Sequence, residues 1–226
     1  MKSKEYISSW LRKNTNEAYE YLQGAFPHAS GIYVQGGSVL ACLLDQKLND
    51  LDVTIDGVMG DDLAILPKAE QKNDVFDRSV YQYNGLHMDI WPLRESREAS
   101  FARSNGLQMD IYGLLALVPF NLDKIAFEIR KEEIVDAGCL QGIRERTIVY
   151  DTPIEDGFYT HAARAFLLQQ KTGYEFAPST IALLEKASRG LAKDPTKWVQ
   201  VENQLKAKHA DLLERVREEL MPVSGV

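Results

Sequence analysis

The 226-residue sequence predicts an α/β (α+β) amino-terminal domain, a short mixed sheet flanked by helices, followed by a small all-helical domain. Three observations predict it. Apolar and polar residues alternate in short runs between residues 31 and 93. A Gly-Gly turn and an Asn-Gly turn punctuate those runs. From about residue 152 the apolar residues recur every three or four positions instead. The change of period sets a boundary within 136–155, which divides the chain into domains 1–145 and 146–226.

The elements follow in order. Residues 4–26 carry Ile7, Trp10, Leu11, Ala18, Tyr19, Leu22, Ala25 and Phe26 at helical spacing, as two short helices broken near Asn14-Thr15-Asn16. Gly31 to Gln35 reads as a strand that ends in Gly36-Gly37. Ser38 reads as the N-cap of a buried helix, Val39 to Leu44. Leu51 to Asp56 alternates as a half-buried strand. Val75–Tyr83 and Leu86–Leu93 form a hairpin about Asn84-Gly85. Residues 106–118 are helical. Further strands are expected at Ile125–Ile129, Glu133–Val135 and Thr147–Tyr150. Beyond 152, one stripe runs through Phe158, Ala162, Ala165, Phe166 and Leu168, and another through Ile181, Leu183, Leu184 and Ala187. A last long helix carries Trp198, Val201, Leu205, His209, Leu212, Val216 and Leu220. His209 reads as a core histidine rather than a ligand. The stripe packs on its own domain or on a second copy of the chain.

Composition narrows the functional classes. With 26 Lys+Arg against 33 Asp+Glu, a net charge of −7 excludes a protein that coats nucleic acid by charge alone, though not a local basic groove. No apolar run is long enough to span a bilayer, and Met1-Lys2-Ser3-Lys4-Glu5 leads into a polar helix rather than a secretory leader. A cytoplasmic location is expected. Cys42 and Cys139 read as two reduced core thiols, and four scattered histidines argue against a histidine zinc site.

The chemistry lies on two strands. Alternation puts Leu51, Val53 and Ile55 on one face and Asp50, Asp52, Thr54 and Asp56 on the other. It likewise separates Leu86, Met88 and Ile90 from His87, Asp89 and Trp91. If the two strands are neighbours, Asp89 joins Asp50 and Asp52 on one surface. Unit charges ~4 Å apart repel by about 4 kcal/mol at an effective dielectric of about 20, so such a cluster calls for a cation. Magnesium suits it, because it accepts few carboxylates and completes its shell with water and phosphate. Gly36, Gly37 and Ser38, between strand and helix, allow a backbone approach to a triphosphate.

With those residues in place, the sequence resembles the nucleotidyltransferase superfamily, and within it the head and neck of class II CCA-adding enzymes and bacterial poly(A) polymerases. Tyr33-Val34-Gln35-Gly36-Gly37-Ser38-Val39 and Asn49-Asp50-Leu51-Asp52-Val53-Thr54 resemble its Gly-Gly-x-Val-Arg-Asp…Asp-Leu-Asp-x-x-Thr signature. Asp89-Ile90-Trp91-Pro92-Leu93-Arg94 resembles the strand with the third carboxylate and its trailing arginine. Ile134-Val135-Asp136-Ala137-Gly138 resembles a following turn. Arg164-Ala165-Phe166 and Thr172-Gly173-Tyr174-Glu175-Phe176-Ala177-Pro178 resemble the neck. Several family positions differ. Leu40 and Ala41 replace an arginine and an aspartate, and the Arg-Arg-Asp-Phe-Thr-x-Asn motif keeps only Asp110. Glu155-Asp156 lies near the position of the nucleotide-selecting pair, His161 stands where its arginine belongs, and Leu167 replaces a second neck arginine. The charges of residues 178–226 nearly cancel, unlike a basic tRNA-binding tail.

The resemblance implies a metal-dependent nucleotidyltransferase that moves a nucleoside monophosphate from an NTP to an acceptor hydroxyl, RNA among the candidates, and releases pyrophosphate. The departures argue against genuine CCA addition. Asp50, Asp52 and Asp89 would hold Mg²⁺ or Mn²⁺ and carry catalysis, with Gly36, Gly37 and Ser38 at the outer phosphates. Arg94 and Arg164 would neutralise phosphate charge or serve as surface ion pairs. Asp110 would touch ribose or base, or lie on a helix face. The alternative is a non-catalytic nucleotide- or partner-binding protein on the same fold.

Overall fold

In a computed structural model of the chain, which describes residues 2–67, 80–154, 156–206 and 212–221, the alternating runs become one mixed sheet. Helices α1 (Lys4–Asn14) and α2 (Ala18–Ala25) open the chain. Ser3 caps α1 by accepting from the Tyr6 N–H. The expected break between them is made by Asn16 and Glu17, both at positive φ.

Strand β1 (Gly31–Gln35) leads into α3 (Gly37–Leu43), and β2 (Asp50–Asp56) follows. After a short 3₁₀ segment, Gly60–Ile65, come β3 (Val80–Tyr83) and β4 (Leu86–Pro92). Asn84 and Gly85 turn the β3–β4 hairpin with positive φ, as the Asn-Gly signal predicts. The expected start of β3 at Val75 falls outside the described residues. Helices α4 (Arg97–Ser104) and α5 (Ile111–Leu117) precede the hairpin of β5 (Ile125–Glu128) and β6 (Glu133–Asp136). The strand order is β3-β4-β2-β1-β5-β6, with β2 and β4 parallel and the other pairs antiparallel.

Both strand faces alternate as expected. Leu51, Val53, Ile55, Leu86, Met88 and Ile90 are buried on one side. On the other side α5 covers only part of the sheet. Its Ile111, Leu114 and Leu115 pack with Leu93, Ala126, Val135 and Tyr33. The helix expected over 106–118 is shorter, because Asp110 is its N-cap, accepting from Gly113 N–H at 2.8 Å, and leaves 106–109 outside.

The chain divides into two units, Met1–Val118 with Asp123–Cys139, and Pro119–Leu122 with Leu140–Val226. The division thus falls at 139/140, not 145/146, and residues 119–122 join the second unit. Hydrogen bonds explain why: Asn121 donates to Thr147 O and accepts from Val149 N–H, and Phe120 bridges Tyr150.

The second unit contains α6 (Cys139–Glu145, which begins at the boundary residue), β7 (Thr147–Ile148), α7 (Phe158–Thr172), β8 (Glu175–Phe176), α8 (Pro178–Lys193), α9 (Trp198–Lys206) and α10 (Leu213–Leu220). It is the expected helical domain, to which a short parallel β7–β8 ladder is added. β7 falls within the strand expected at Thr147–Tyr150, while the two-residue β8 is too short to leave a period in the sequence. Of the expected last long helix, Trp198–Lys206 and Leu213–Leu220 are helical, while His209 lies outside the described residues. Val201, Leu205, Leu212, Val216 and Leu220 are buried against α7 and α8 residues, including Ala163, Phe166, Ala187 and Leu191. The described part of the stripe thus packs within its own unit, the first of the two expected alternatives.

Candidate active site

Asp50 and Asp52 stand on β2 because their even spacing opposes the buried Leu51 and Val53. The parallel register then aligns Asp50 with His87, Asp52 with Asp89 and Thr54 with Trp91. Paired residues of neighbouring strands point to the same side, so Asp52 and Asp89 are lateral neighbours at the strand spacing of about 4.8 Å. Asp50 follows two residues along the strand, about 6.6 Å away. All three carboxylates are half-buried.

Among the described residues, no three His, Cys, Asp or Glu side chains converge as a finished metal cage. What the backbone fixes is the row. A donor set of carboxylate oxygens on adjacent, in-register positions of one face fits a hard divalent cation that keeps part of its water.

The turn beside this row is built on Gly36. Its φ of 54° and ψ of −123° lie where only glycine is at ease. Its N–H donates to Ile125 O at 2.9 Å, which anchors the turn to β5. Gly36, not Ser38, is the cap residue of α3, which corrects the expected N-cap. Ser38 sits in the first turn, 1% exposed. Its hydroxyl donates to Asp50 O at 3.2 Å and accepts from the Asp52 N–H at 3.1 Å. That side chain therefore ties the helix to the backbone of the carboxylate strand.

The remaining candidates lie as follows. Leu40 and Ala41 are core residues, so the positions of the family's arginine and aspartate serve packing here. Arg94 is exposed in the 3₁₀ turn Leu93–Glu95 that ends β4, and its carbonyl accepts from Arg103. Asp110 is an N-cap rather than a helix-face residue. It stands near the Tyr33 phenol, whose pKa is raised chiefly by burial and then by Glu128, Asp56 and Asp110. Arg164 is on α7, in the second unit, as is His161, whose Nδ1 lies 3.3 Å from the Tyr150 hydroxyl. Glu155 is outside the described residues. The first unit thus gathers Asp50, Asp52, Asp89, Gly36, Gly37 and Ser38 about one end of β2.

Two residues to which the sequence reading assigned no role stand out. Among the described residues, the buried side-chain oxygens without a hydrogen-bond partner are Gln35 Oε1 and Thr54 Oγ1. Tyr33 pairs with Thr54 and Val34 with Val53, and one step further lie Gln35 and Asp52. Both orphaned oxygens therefore belong to residues that adjoin Asp52 on its own face. The available signal was a glutamine closing an otherwise apolar strand directly before the glycine turn.

No described helix is long and apolar enough to cross a membrane. No protein-family model and no curated protein matches the sequence. Solved structures do. A CCA-adding enzyme in complex with ATP matches with a TM-score of 0.65 at 20% identity, over 95% of this chain and 54% of that one. A CCA-adding enzyme with CTP matches with a TM-score of 0.61 at 20% identity, over 89% and 50%. The Thermotoga maritima CCA-adding enzyme complexed with tRNA gives 0.57 at 20% identity, over 92% and 47%. The chain spans about half the length of these structures. What is shared at such identity is the arrangement of strands and helices, and this chain accordingly has the fold seen in these CCA-adding enzyme structures.

Proposed function

We propose that the chain is a nucleotidyltransferase that moves a nucleoside monophosphate from an NTP to an acceptor hydroxyl and releases pyrophosphate. The observation that carries the proposal is the in-register pairing of Asp52 with Asp89 beside Asp50. Support comes from the fold, since solved examples are enzymes described with ATP, CTP and tRNA. A Mg²⁺ or Mn²⁺ ion held by Asp50, Asp52 and Asp89 would supply positive charge to the triphosphate and lower the pKa of the attacking hydroxyl.

The chain's own residues do the rest. Asp52, in the middle of the row, keeps nucleotide and acceptor on opposite sides of one carboxylate. Gly36 and Gly37 present no side chain, so backbone can approach the outer phosphates. Ser38 holds the Asp52 amide and fixes the strand while the phosphates move. Arg94 offers positive charge at the end of β4, and Asp110 keeps a carboxylate oxygen for ribose or base. The acceptor oxygen forms a bond to the α-phosphorus as the bond to pyrophosphate breaks. RNA is the acceptor class the tRNA-bound neighbour suggests. Genuine CCA addition is not proposed, because Leu40 and Ala41 fill positions that the resembled family gives to charged residues.

The test is transfer from [α-³²P]NTP with Mg²⁺ or Mn²⁺ to a panel of RNAs. The expected result is labelled product, reduced by at least about a hundredfold in Asp52→Ala and Asp89→Ala. No transfer at all, or Asp52→Ala working as well as the unaltered protein, overturns the proposal. Leu40 and Ala41 also favour a second reading, a nucleotide binder without turnover. Calorimetry separates the two, since a binder takes nucleotide without metal and keeps its affinity in Asp89→Ala.

A further inference from the structure

Continuing the β1–β2 register one step past Val34 and Val53 sets four positions in a row across the sheet: Ala126 on β5, Gln35 on β1, Asp52 on β2 and Asp89 on β4. Gln35 is 8% exposed, and its Oε1 has no hydrogen-bond partner. Folded proteins pair nearly all buried polar atoms, so an orphaned amide oxygen calls for a reason. A second orphan, Thr54 Oγ1, adjoins the same Asp52, which concentrates the unmet hydrogen bonding of the described residues at one point. Thr54 is wholly enclosed, with Tyr33 and Trp91 as its lateral neighbours. Gln35 has the longer side chain, lies at the end of its strand and keeps some exposure.

Neither neighbour in the row offers Gln35 Oε1 a donor. Ala126 has no polar atom, and an ionised Asp52 only accepts. The oxygen is therefore open to a donor from a bound ligand. A hydrated divalent cation supplies donors, because Mg²⁺ and its substitutes keep several waters. The amide is neutral, so it adds an acceptor to the row without adding to its repulsion. Turning the amide toward Asp52 breaks no hydrogen bond made through Oε1.

We propose that Gln35 is a positioning residue of the cation site, its Oε1 accepting from a water of the ion held by Asp52 and Asp89. This rests on the cation-dependent reading above. Partners that orient metal-bound atoms are typically worth tenfold to a hundredfold in metal affinity.

The test is Mn²⁺ binding to the full chain without nucleotide, read from the electron paramagnetic resonance of the free ion, alongside thermal melting. Gln35→Met fills the same space without an acceptor, and Gln35→Glu restores one. The expected result is about tenfold weaker Mn²⁺ binding in Gln35→Met, with melting at or above the unaltered protein's temperature. Gln35→Glu should bind at least as tightly as the unaltered protein. Unchanged Mn²⁺ affinity in Gln35→Met, with binding lost in Asp52→Ala, overturns the inference and leaves the cation reading standing. Affinity and melting temperature falling together in Gln35→Met, without rescue by Gln35→Glu, also overturns it. An unaltered protein that binds no Mn²⁺, or an Asp52→Ala variant that binds it equally well, overturns both.

Discussion

Gly36 shows how much one backbone conformation decides. A Cβ there would meet nothing closer than Asp123 O at 3.8 Å, so space is not the constraint. The constraint is φ 54°, ψ −123°, which an L-residue adopts at a cost of about 1–3 kcal/mol. Gly36→Ala should lower stability by that amount, measured by urea unfolding. Thr54→Val should act in the opposite direction. It removes a fully buried, unpartnered hydroxyl, and a gain of about 1 kcal/mol is expected in the same assay. Cys42 makes an alkaline prediction. Burial pushes its thiol from an ordinary 9.0 up to about 12, with Lys2 opposing weakly. The folded state keeps the proton while the unfolded chain loses it. Stability is therefore full below pH 9 and falls between pH 9 and about 12, by up to about 1.4 kcal/mol per pH unit. Urea midpoints at alkaline pH should fall less steeply in Cys42→Ala. A residual slope is expected from Tyr19, whose phenol burial also raises.

Ser38 joins two elements rather than capping one. Removing its hydroxyl leaves the Asp52 N–H without its acceptor, so Ser38→Ala should cost about 1–3 kcal/mol in urea unfolding. It should also slow nucleotide transfer, because the carboxylate strand loses its tie to α3. Alternation along β2 and β4 was legible, because each strand sets apolar residues on one face and mostly polar ones on the other. The Asn84-Gly85 turn and the break at Asn16 were legible for local reasons of φ. The parallel pairing of β2 with β4 was not, since a two-residue period says which side is buried and nothing about the neighbour. The sequence could state only what would follow if the strands met. The start of the 106–118 helix was misjudged because Leu107 is apolar yet exposed, while the capping signal of Asp110 was overlooked. Gln35 went unremarked because an orphaned atom is defined by what surrounds it.

Over the whole chain, the backbone passes between the two units at 118/119, 122/123 and 139/140. A cut at the boundary read from periodicity would therefore strand Phe120 and Leu122, both fully buried in the intact protein. A fragment of residues 1–145 should bind the dye ANS and be less soluble than the full chain, and a monodisperse, dye-silent fragment would contradict this. The β2–β4 pairing reaches further still. It joins residues separated by a long stretch of sequence, Asp52 with Asp89. A growing polypeptide thus exposes two of its three acidic groups well before the third is synthesised. No intermediate without the fourth strand in place can bring the three aspartates together, so the row forms at once, when that strand docks, rather than by degrees.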